Sequence, residues 1–126
     1  MTPFGQKLRE LRAARDVTLK DMAAALRVTP AYLSALEHGR RGRPSWRLVQ
    51  SIIGYFNVIW DEAEEIERLA RLSHPRIVID TAGLTPPATE LANRLSEQIA
   101  HLTPAEIDRL MEALPPRPRR GQPKTQ

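Results

Sequence analysis

The sequence predicts a mainly α-helical protein, with five short helices over residues 1–72 and a short β-strand plus a two-helix appendage over residues 73–114. Three observations predict this fold class. Threonine precedes proline four times, each time ahead of a stretch with helical periodicity, and apolar residues recur every three or four positions through most of the chain. A run of β-branched residues follows the fifth helical stretch. The length of 126 residues suits one ordinary domain, or a small domain with an appendage.

The Thr-Pro pairs predict where helices begin. A threonine oxygen accepts a hydrogen bond from a free N–H group of the first turn, and proline is favoured at the first helical position. The residue before proline is also kept out of the α conformation, as a capping residue must be. The pairs are Thr2-Pro3, Thr29-Pro30, Thr85-Pro86 and Thr103-Pro104, and Thr18 and Ser45 are expected to cap two further helices.

Other residues predict how the first five helices end and pack. Gly39 stands where the third helix would end in a left-handed residue. The fifth helix is expected over residues 57–72, with acidic residues in its first turns, where the helix dipole favours negative charge. Because they lie near Ile52 and Ile53, four aromatic residues are expected in the core: Trp46, Tyr55, Phe56 and Trp60.

The region after residue 72 predicts a dimer interface. Residues 76–81 are rich in β-branched side chains and are expected to form a strand, which must pair because a lone strand leaves its backbone groups unsatisfied. The expected partner is the same strand of a second copy. A stripe of apolar residues follows on the next helix, and the alternative is that this stripe packs back on the fifth helix. The predicted interface residues of the two-fold dimer are Ile77, Val78, Ile79, Leu91, Leu95, Ile99 and Leu102.

Charge is distributed unevenly along the chain. Residues 1–56 carry ten Lys/Arg and four Asp/Glu, residues 57–114 carry five and eleven, and residues 115–126 carry four and none. A basic N-terminal half favours a nucleic-acid partner, since neutralising phosphates releases counterions, although an unevenly charged solvated surface would have the same composition. The last twelve residues contain no apolar residue besides proline, which predicts a disordered basic tail.

Composition also excludes several classes of protein. The chain has no cysteine, so it has no disulfide scaffold, thiolate zinc site or cysteine nucleophile. Its longest mainly apolar stretch, residues 52–60, is too short to span a membrane, and its N-terminus lacks the apolar core of a secretory signal, so we expect a cytoplasmic protein. His38, His74 and His101 lack metal-ligand spacing, and no glycine-rich phosphate loop occurs. We therefore expect no enzymatic activity, no metal and no cofactor.

Two adjacent short helices predict the function. Leu19–Leu26 and residues 30–38 are separated by a tight turn, which is the sequence form of a helix-turn-helix. Ala23 is small enough to let the two helices cross closely. By itself, the pattern also fits a plain helical hairpin inside a bundle.

Longer segments carry a family resemblance. They are Leu11-Arg12, residues 18–23, residues 26–29, residues 32–39 and residues 43–45, which lead into the fourth helix. The Leu-Glu-X-Gly ending of the third helix, at residues 36–39, is the most specific of them. Through these segments, residues 4–62 resemble the lambda-repressor-like, Cro or xenobiotic-response-element (XRE) family of five-helix DNA-binding domains.

The resemblance implies roles for particular residues. It implies that the third helix is a recognition helix whose N-terminal half enters the major groove of double-stranded DNA. It also implies an internal ion pair between Arg12 and Glu37. The expected base-facing residues are Thr29, Pro30, Ala31, Tyr32, Ser34 and Ala35. The expected contacts to the DNA backbone are Thr18, Lys20, His38, Arg40, Arg41 and Arg43.

The chain departs from the family pattern in three places. Leu19 replaces the usual glutamine, and Arg27 occupies a turn position that is usually glycine, where a left-handed conformation would cost about 1–2 kcal/mol. Pro30, Ala31 and Ala35 have almost no hydrogen-bonding capacity. We therefore expect modest base readout through thymine methyl groups and Tyr32, with residues 40–43 anchoring phosphates or reading minor-groove shape.

Three functions follow, in order of preference. The first is a homodimeric transcriptional regulator, commonly a repressor, that binds a pseudo-palindromic operator. The second is an antitoxin whose C-terminal half neutralises a toxin while its N-terminal half binds its own promoter. The third is an interaction module without operator recognition, against which the arginine-rich loop argues.

Overall fold

The computed structural model describes residues 1–116, which fall into two compact units that divide between residues 78 and 79. The first unit contains α1 (Pro3–Arg15), α2 (Leu19–Leu26), α3 (Pro30–Glu37), α4 (Trp46–Phe56) and α5 (Trp60–Arg71). The second contains α6 (Pro86–Gln98), a 3₁₀ turn (Ile99–His101) and α7 (Pro104–Ala113). The predicted disordered tail, residues 115–126, lies outside the described residues from residue 117 onward.

Helices other than α5 begin where the sequence predicts. In every helix except α5, a side-chain oxygen of the preceding residue accepts a hydrogen bond from a backbone N–H group of the first turn, and these residues are Thr2, Thr18, Thr29, Ser45, Thr85 and Thr103. At α7, Glu106 completes the cap by accepting from the Thr103 backbone N–H at 3.0 Å, and this hydrogen bond lowers the pKa of the Glu106 carboxyl from its ordinary value. The six predicted capping residues are therefore confirmed, whereas the fifth helix, expected from residue 57, begins only at Trp60, because Asn57 ends α4 in the left-handed conformation.

One hydrophobic core holds the five helices of the first unit together. Its buried residues come from all five helices and from the α4–α5 connection: Phe4, Leu8, Leu11, Met22, Ala23, Leu33, Leu36, Leu48, Val49, Ile52, Phe56, Val58, Ile66 and Ala70. The N-terminus of α1 is also fixed from the far end of the unit, because the Phe4 backbone N–H donates to the buried Ser73 Oγ at 2.9 Å. α2 and α3 are thus held in place by the core that they share with α1, α4 and α5.

The predicted β-strand at residues 76–81 is wrong. Within residues 1–116 there is no strand, and all regular structure is helical. The β-branched side chains Ile77, Val78 and Ile79 favour extended backbone, but no second extended segment in the described part of the chain pairs with it. The stretch ends locally, because Asp80 Oδ1 accepts from the Ala82 backbone N–H at 2.9 Å and a turn follows. β-propensity is a local preference and does not by itself supply the hydrogen-bonded partner strand that a sheet requires.

Two of the four aromatic residues expected in the core lie on the surface. Phe56 is buried and Tyr55 is half-buried, with the two rings in edge-to-face contact at 5.1 Å between centroids. Trp46 is 66% exposed and Trp60 is 80% exposed. Both tryptophans occupy the first position of a helix, beyond the part of that helix that packs on its neighbours.

A strained residue in the helix-turn-helix yields a stability prediction. Arg27 ends α2 with φ 60° and ψ 40°, the left-handed conformation that costs a non-glycine residue about 1–2 kcal/mol. We expect Arg27→Gly to raise the free energy of unfolding by about 1 kcal/mol, part of the relief being offset by the greater entropy of unfolded glycine. Asn57→Gly is the matched control, because Asn57 ends α4 at φ 52° but asparagine tolerates this conformation. Urea denaturation that shows an equal or larger gain for Asn57→Gly would contradict the account of strain at Arg27.

No helix among residues 1–116 is long and apolar enough to cross a membrane.

Candidate nucleic-acid interface

The turn between α2 and α3 sets the geometry of the interface. The left-handed Arg27 ends α2, and the Val28 backbone N–H donates to the Ala23 carbonyl at 3.0 Å. Thr29 then begins α3 by accepting from the Tyr32 backbone N–H at 3.0 Å. Ala23 has no exposed surface, so the two helices approach each other closely at this position.

The recognition helix presents one face to the core and the other to solvent. Leu33, Leu36 and Glu37 are buried. Of the six base-facing residues predicted from the sequence, the structure leaves Thr29, Pro30 and Ala31 exposed and Tyr32, Ser34 and Ala35 half-buried. All six therefore retain some accessible surface on or next to α3, but Pro30, Ala31 and Ala35 bring no polar side-chain atom to it.

The acidic residue of this helix is withdrawn from the surface. The Glu37 side chain is 2% exposed, and both its oxygens accept hydrogen bonds from the Arg12 guanidinium, from Nε to Oε1 at 3.0 Å and from Nη2 to Oε2 at 3.1 Å. The pair that the resemblance implies is thus present as a bidentate contact between α1 and α3. A carboxylate at the end of the recognition helix would repel phosphate, and here its charge is compensated inside the unit.

A close contact that the sequence did not reveal brings α1 and α3 together. A Cβ atom added to Gly5 would lie 2.0 Å from the Glu37 carbonyl oxygen, so only glycine fits at this crossing. Apolar periodicity marked the large residues around Gly5 and gave no sign of this approach. The only signal in the sequence was a glycine in the first turn of a helix.

A left-handed glycine caps the C-terminal end of α3. Gly39 has φ 75°, its N–H donates to the Leu36 carbonyl at 3.3 Å, and the Arg40 N–H donates to the Ala35 carbonyl at 2.9 Å. These two bonds form a Schellman motif, which ends the helix. Residues 40–43, which we call the arginine loop, therefore follow directly on the recognition helix.

The residues predicted to contact the DNA backbone all lie on the exposed surface of the first unit. They are Thr18, Lys20, His38, Arg40, Arg41 and Arg43. Thr18 Oγ1 is engaged as a helix cap, since it accepts from the Asp21 N–H at 3.0 Å. His38 Nδ1 lies 2.8 Å from the Ser34 carbonyl oxygen, which can only accept, so Nδ1 is the donor in this hydrogen bond.

The structure adds Arg47 to the basic residues of this surface. It lines an open groove between the α2–α3 turn and α4, together with Thr29, Tyr32 and Ser51. Arg47 was not among the DNA contacts predicted from the sequence. Its position two residues after the helix-capping Ser45 was the signal that could have indicated it. The structure also places the Arg41 guanidinium over the Tyr32 ring, 5.8 Å from the ring centroid, a contact that no sequence pattern indicated.

The predicted dimer residues are accessible. Ile77, Val78, Ile79, Leu91 and Ile99 are exposed, and Leu95 and Leu102 are half-buried. None of the described residues from 79 to 116 is buried, so α6, the 3₁₀ turn and α7 have no fully enclosed core within that part of the chain.

A capped recognition helix, a close crossing with the preceding helix and a basic loop at its end define a helix-turn-helix DNA-binding protein. A family model described as a helix-turn-helix domain matches residues 3–74. The chain therefore belongs to the helix-turn-helix family of DNA-binding transcriptional regulators, and it is of the XRE-like type.

Two relatives give the range of similarity. The chain is 28% identical over 121 residues to the uncharacterized HTH-type transcriptional regulator RghRB of Bacillus subtilis, covering 87% of each chain. It is 40% identical over 63 residues to the HTH-type transcriptional regulator DdrOP3 of Deinococcus deserti, covering 49% of this chain and 48% of the relative. No solved structure is significantly similar to the chain.

Proposed function

We propose that the protein is a repressor that binds a pseudo-palindromic operator as a homodimer, at the nucleoid in the cytoplasm. The observation that carries this proposal is the surface of α3. Its N-terminal half is accessible, the arginine loop follows its C-terminal end, and its one acid, Glu37, is buried against Arg12. This surface combines a helix that fits the major groove with the charge that DNA requires.

Two groups of residues would contact DNA, one at the base edges and one at the phosphates. The exposed surface of Thr29, Pro30 and Ala31 would contact base edges, with Tyr32, Ser34 and Ala35 behind them, chiefly through thymine methyl groups. Phosphates would be held by Lys20, Arg40 and Arg43, with Thr18 and His38 at either end of the helix-turn-helix. On this division, residues 1–72 form the DNA-binding domain.

The exposed apolar side chains of the second unit are the argument for a dimer. A helical segment without a buried residue is stable when another surface covers its apolar side chains. In the second unit, such side chains include Leu91, 61% exposed, and Ile99, 56% exposed. Val78, the last residue of the first unit, is 92% exposed. A two-fold dimer would cover them and would present two recognition helices to major grooves about 34 Å apart.

A charge-introducing variant tests the dimer. We expect Leu91→Glu combined with Ile99→Glu to convert the protein to a monomer in sedimentation velocity. Affinity for a two-fold operator should fall by about 100-fold or more, because the two half-sites are no longer bound by linked recognition helices. Ser96→Glu, also at an exposed position of α6, is the control and should remain dimeric. A dimer that survives the double variant would place the interface elsewhere.

Selection of random duplex DNA tests the function as a whole. The purified full chain is used at about 150 mM salt, where binding that depends on phosphates alone is weakened. Recovery of a two-fold symmetric consensus is the expected result. A folded protein that enriches no sequence would refute operator recognition.

The uncovered surface of α6 and α7 also suits a second candidate function, that of an antitoxin. In that case a toxin would cover Leu91 and Ile99 in place of a second copy. A wild-type chain that is monomeric alone, and that forms a stoichiometric complex with the product of a neighbouring gene, would favour the antitoxin over the homodimeric repressor.

A further inference from the structure

The recognition helix has few side-chain groups that could form hydrogen bonds with bases. Discrimination between base pairs in the major groove depends mainly on hydrogen bonds, above all those of arginine with guanine. Pro30, Ala31 and Ala35 offer none, and the Thr29 hydroxyl already accepts a bond from the Tyr32 N–H. The groups left at α3 are the hydroxyls of Thr29, Tyr32 and Ser34, none of which has the planar pair of donors that arginine presents to guanine. An arginine that reads a guanine must therefore come from outside α3.

The arginine loop supplies such a donor next to the recognition helix. Arg41 follows the Schellman motif at Gly39, and its side chain lies against that of Tyr32, a residue of the first turn of α3. The guanidinium carbon of Arg41 is 5.8 Å from the centre of the Tyr32 ring. This is within the range of a cation–π contact.

Packing on the hydrophobic core holds the Tyr32 side chain in place for this contact. Its side chain is half-buried and packs on the hydrophobic core, and its ring lines the groove between the α2–α3 turn and α4. Tyrosine also has only two side-chain torsions, so little freedom is lost when an arginine is held against it.

The donors of Arg41 are free. Within residues 1–116 its guanidinium has no carboxylate partner, and its side chain is exposed. Arg15, which lies over the Phe56 ring, differs because it also donates to the Phe56 carbonyl. Arg41 is thus an exposed arginine beside Tyr32 of the recognition helix, and within residues 1–116 its planar set of N–H groups is unused.

We propose that Arg41 reads a guanine in the major groove and that the Tyr32 ring positions it for this contact. The guanidinium would donate one N–H to O6 and one to N7 of the same base. This assignment moves Arg41 from the phosphate contacts, where the sequence placed it, to the base contacts. It rests on the proposed function, since it concerns how the operator is read.

Base-by-base binding tests the role of Arg41. Affinities of the full chain are measured for the selected operator and for each of its single-base-pair substitutions. Arg41→Ala is expected to lose the preference for G·C at one position in each half-site, a preference of roughly 5- to 150-fold in the wild type, and to keep the preferences elsewhere. Arg41→Lys retains the charge without the planar pair of donors and should lose most of the same preference. The matched control, Arg40→Ala, should weaken binding to all sequences alike and reduce the salt slope by about 1.

Two tyrosine variants test the positioning. Tyr32→Phe keeps the ring and is expected to keep the G·C preference, whereas Tyr32→Leu removes the ring and should reduce that preference. Equal loss in both would mean that the hydroxyl reads the base, and equal retention would mean that the ring does not position Arg41. Either result would overturn the positioning role.

The outcomes separate this inference from the proposed function. If the wild type selects an operator and Arg41→Ala weakens all sequences uniformly, Arg41 is a phosphate contact and only this inference fails. If the wild type selects no sequence, the proposed function and this inference fail together. Because Arg41 is exposed, circular dichroism of the variant should match that of the wild type in either case.

Discussion

Arg12→Ala is expected to destabilise the first unit by about 3–5 kcal/mol, because it leaves the Glu37 carboxylate buried without its counter-charge. Glu37 is 2% exposed and accepts both its side-chain hydrogen bonds from Arg12. A typical domain has a total stability of about 5–15 kcal/mol, so the variant should lose a large part of it. Chemical denaturation followed by circular dichroism measures the effect, and DNA binding should fall in parallel.

Two further variants identify the cause. Arg9→Ala removes an exposed arginine from the same helix and should change stability by less than about 0.5 kcal/mol. Replacing both partners, as Arg12→Met with Glu37→Met, removes the buried charge altogether and should recover most of the loss. If the double variant is as unstable as Arg12→Ala, packing of the arginine stem and not the unpaired carboxylate explains the effect.

Gly5→Ala is expected to cost at least about 3 kcal/mol, at the upper end of what overpacking a core does. The added Cβ would lie 2.0 Å from the Glu37 carbonyl oxygen and 2.7 Å from the Glu37 carbonyl carbon. These are backbone atoms and cannot turn aside as a flexible side chain would, so α1 and α3 must separate. Thermal unfolding monitored at 222 nm is the measurement.

Gly54→Ala is the control for helix propensity. Gly54 lies within α4, is exposed, and a Cβ there would meet nothing within 4 Å. Alanine should therefore stabilise the protein by about 0.5–1 kcal/mol, as it does in helix interiors. Equal effects of the two substitutions would contradict the close crossing of α1 and α3.

Local signals in the sequence predicted much of this fold. Thr29 is an example, because a hydroxyl before a proline both caps a helix and excludes the preceding residue from it, and this chemistry does not depend on the rest of the chain. The left-handed end of α3 at Gly39 was predictable for the same reason. The base-facing residues proposed on α3 came from the family resemblance, which marks the third helix as the recognition helix.

Features that depend on distant atoms could not be predicted in this way. Strand formation at residues 76–81 requires a partner segment, and composition carries no information about one. The exposure of Trp46 and Trp60 depends on where neighbouring helices end, and the requirement for Gly5 depends on a backbone carbonyl 32 positions away in the chain. Likewise, the contact of Arg41 with Tyr32 joins a loop residue to a residue of α3, and no local pattern in the sequence indicates it.

The central claim is that α3 and the arginine loop form the surface that binds DNA. The most direct test is a comparison of backbone amide NMR spectra of the full chain with and without its selected duplex. We expect the large shifts on the amides of residue 29, residues 31–35 and residues 40–43, with Lys20 beside them. Residues of α5 such as Ile66 and Ala70 should change little, and Pro30 gives no signal because proline has no amide proton. Large shifts on α5 with none on α3 would contradict the central claim.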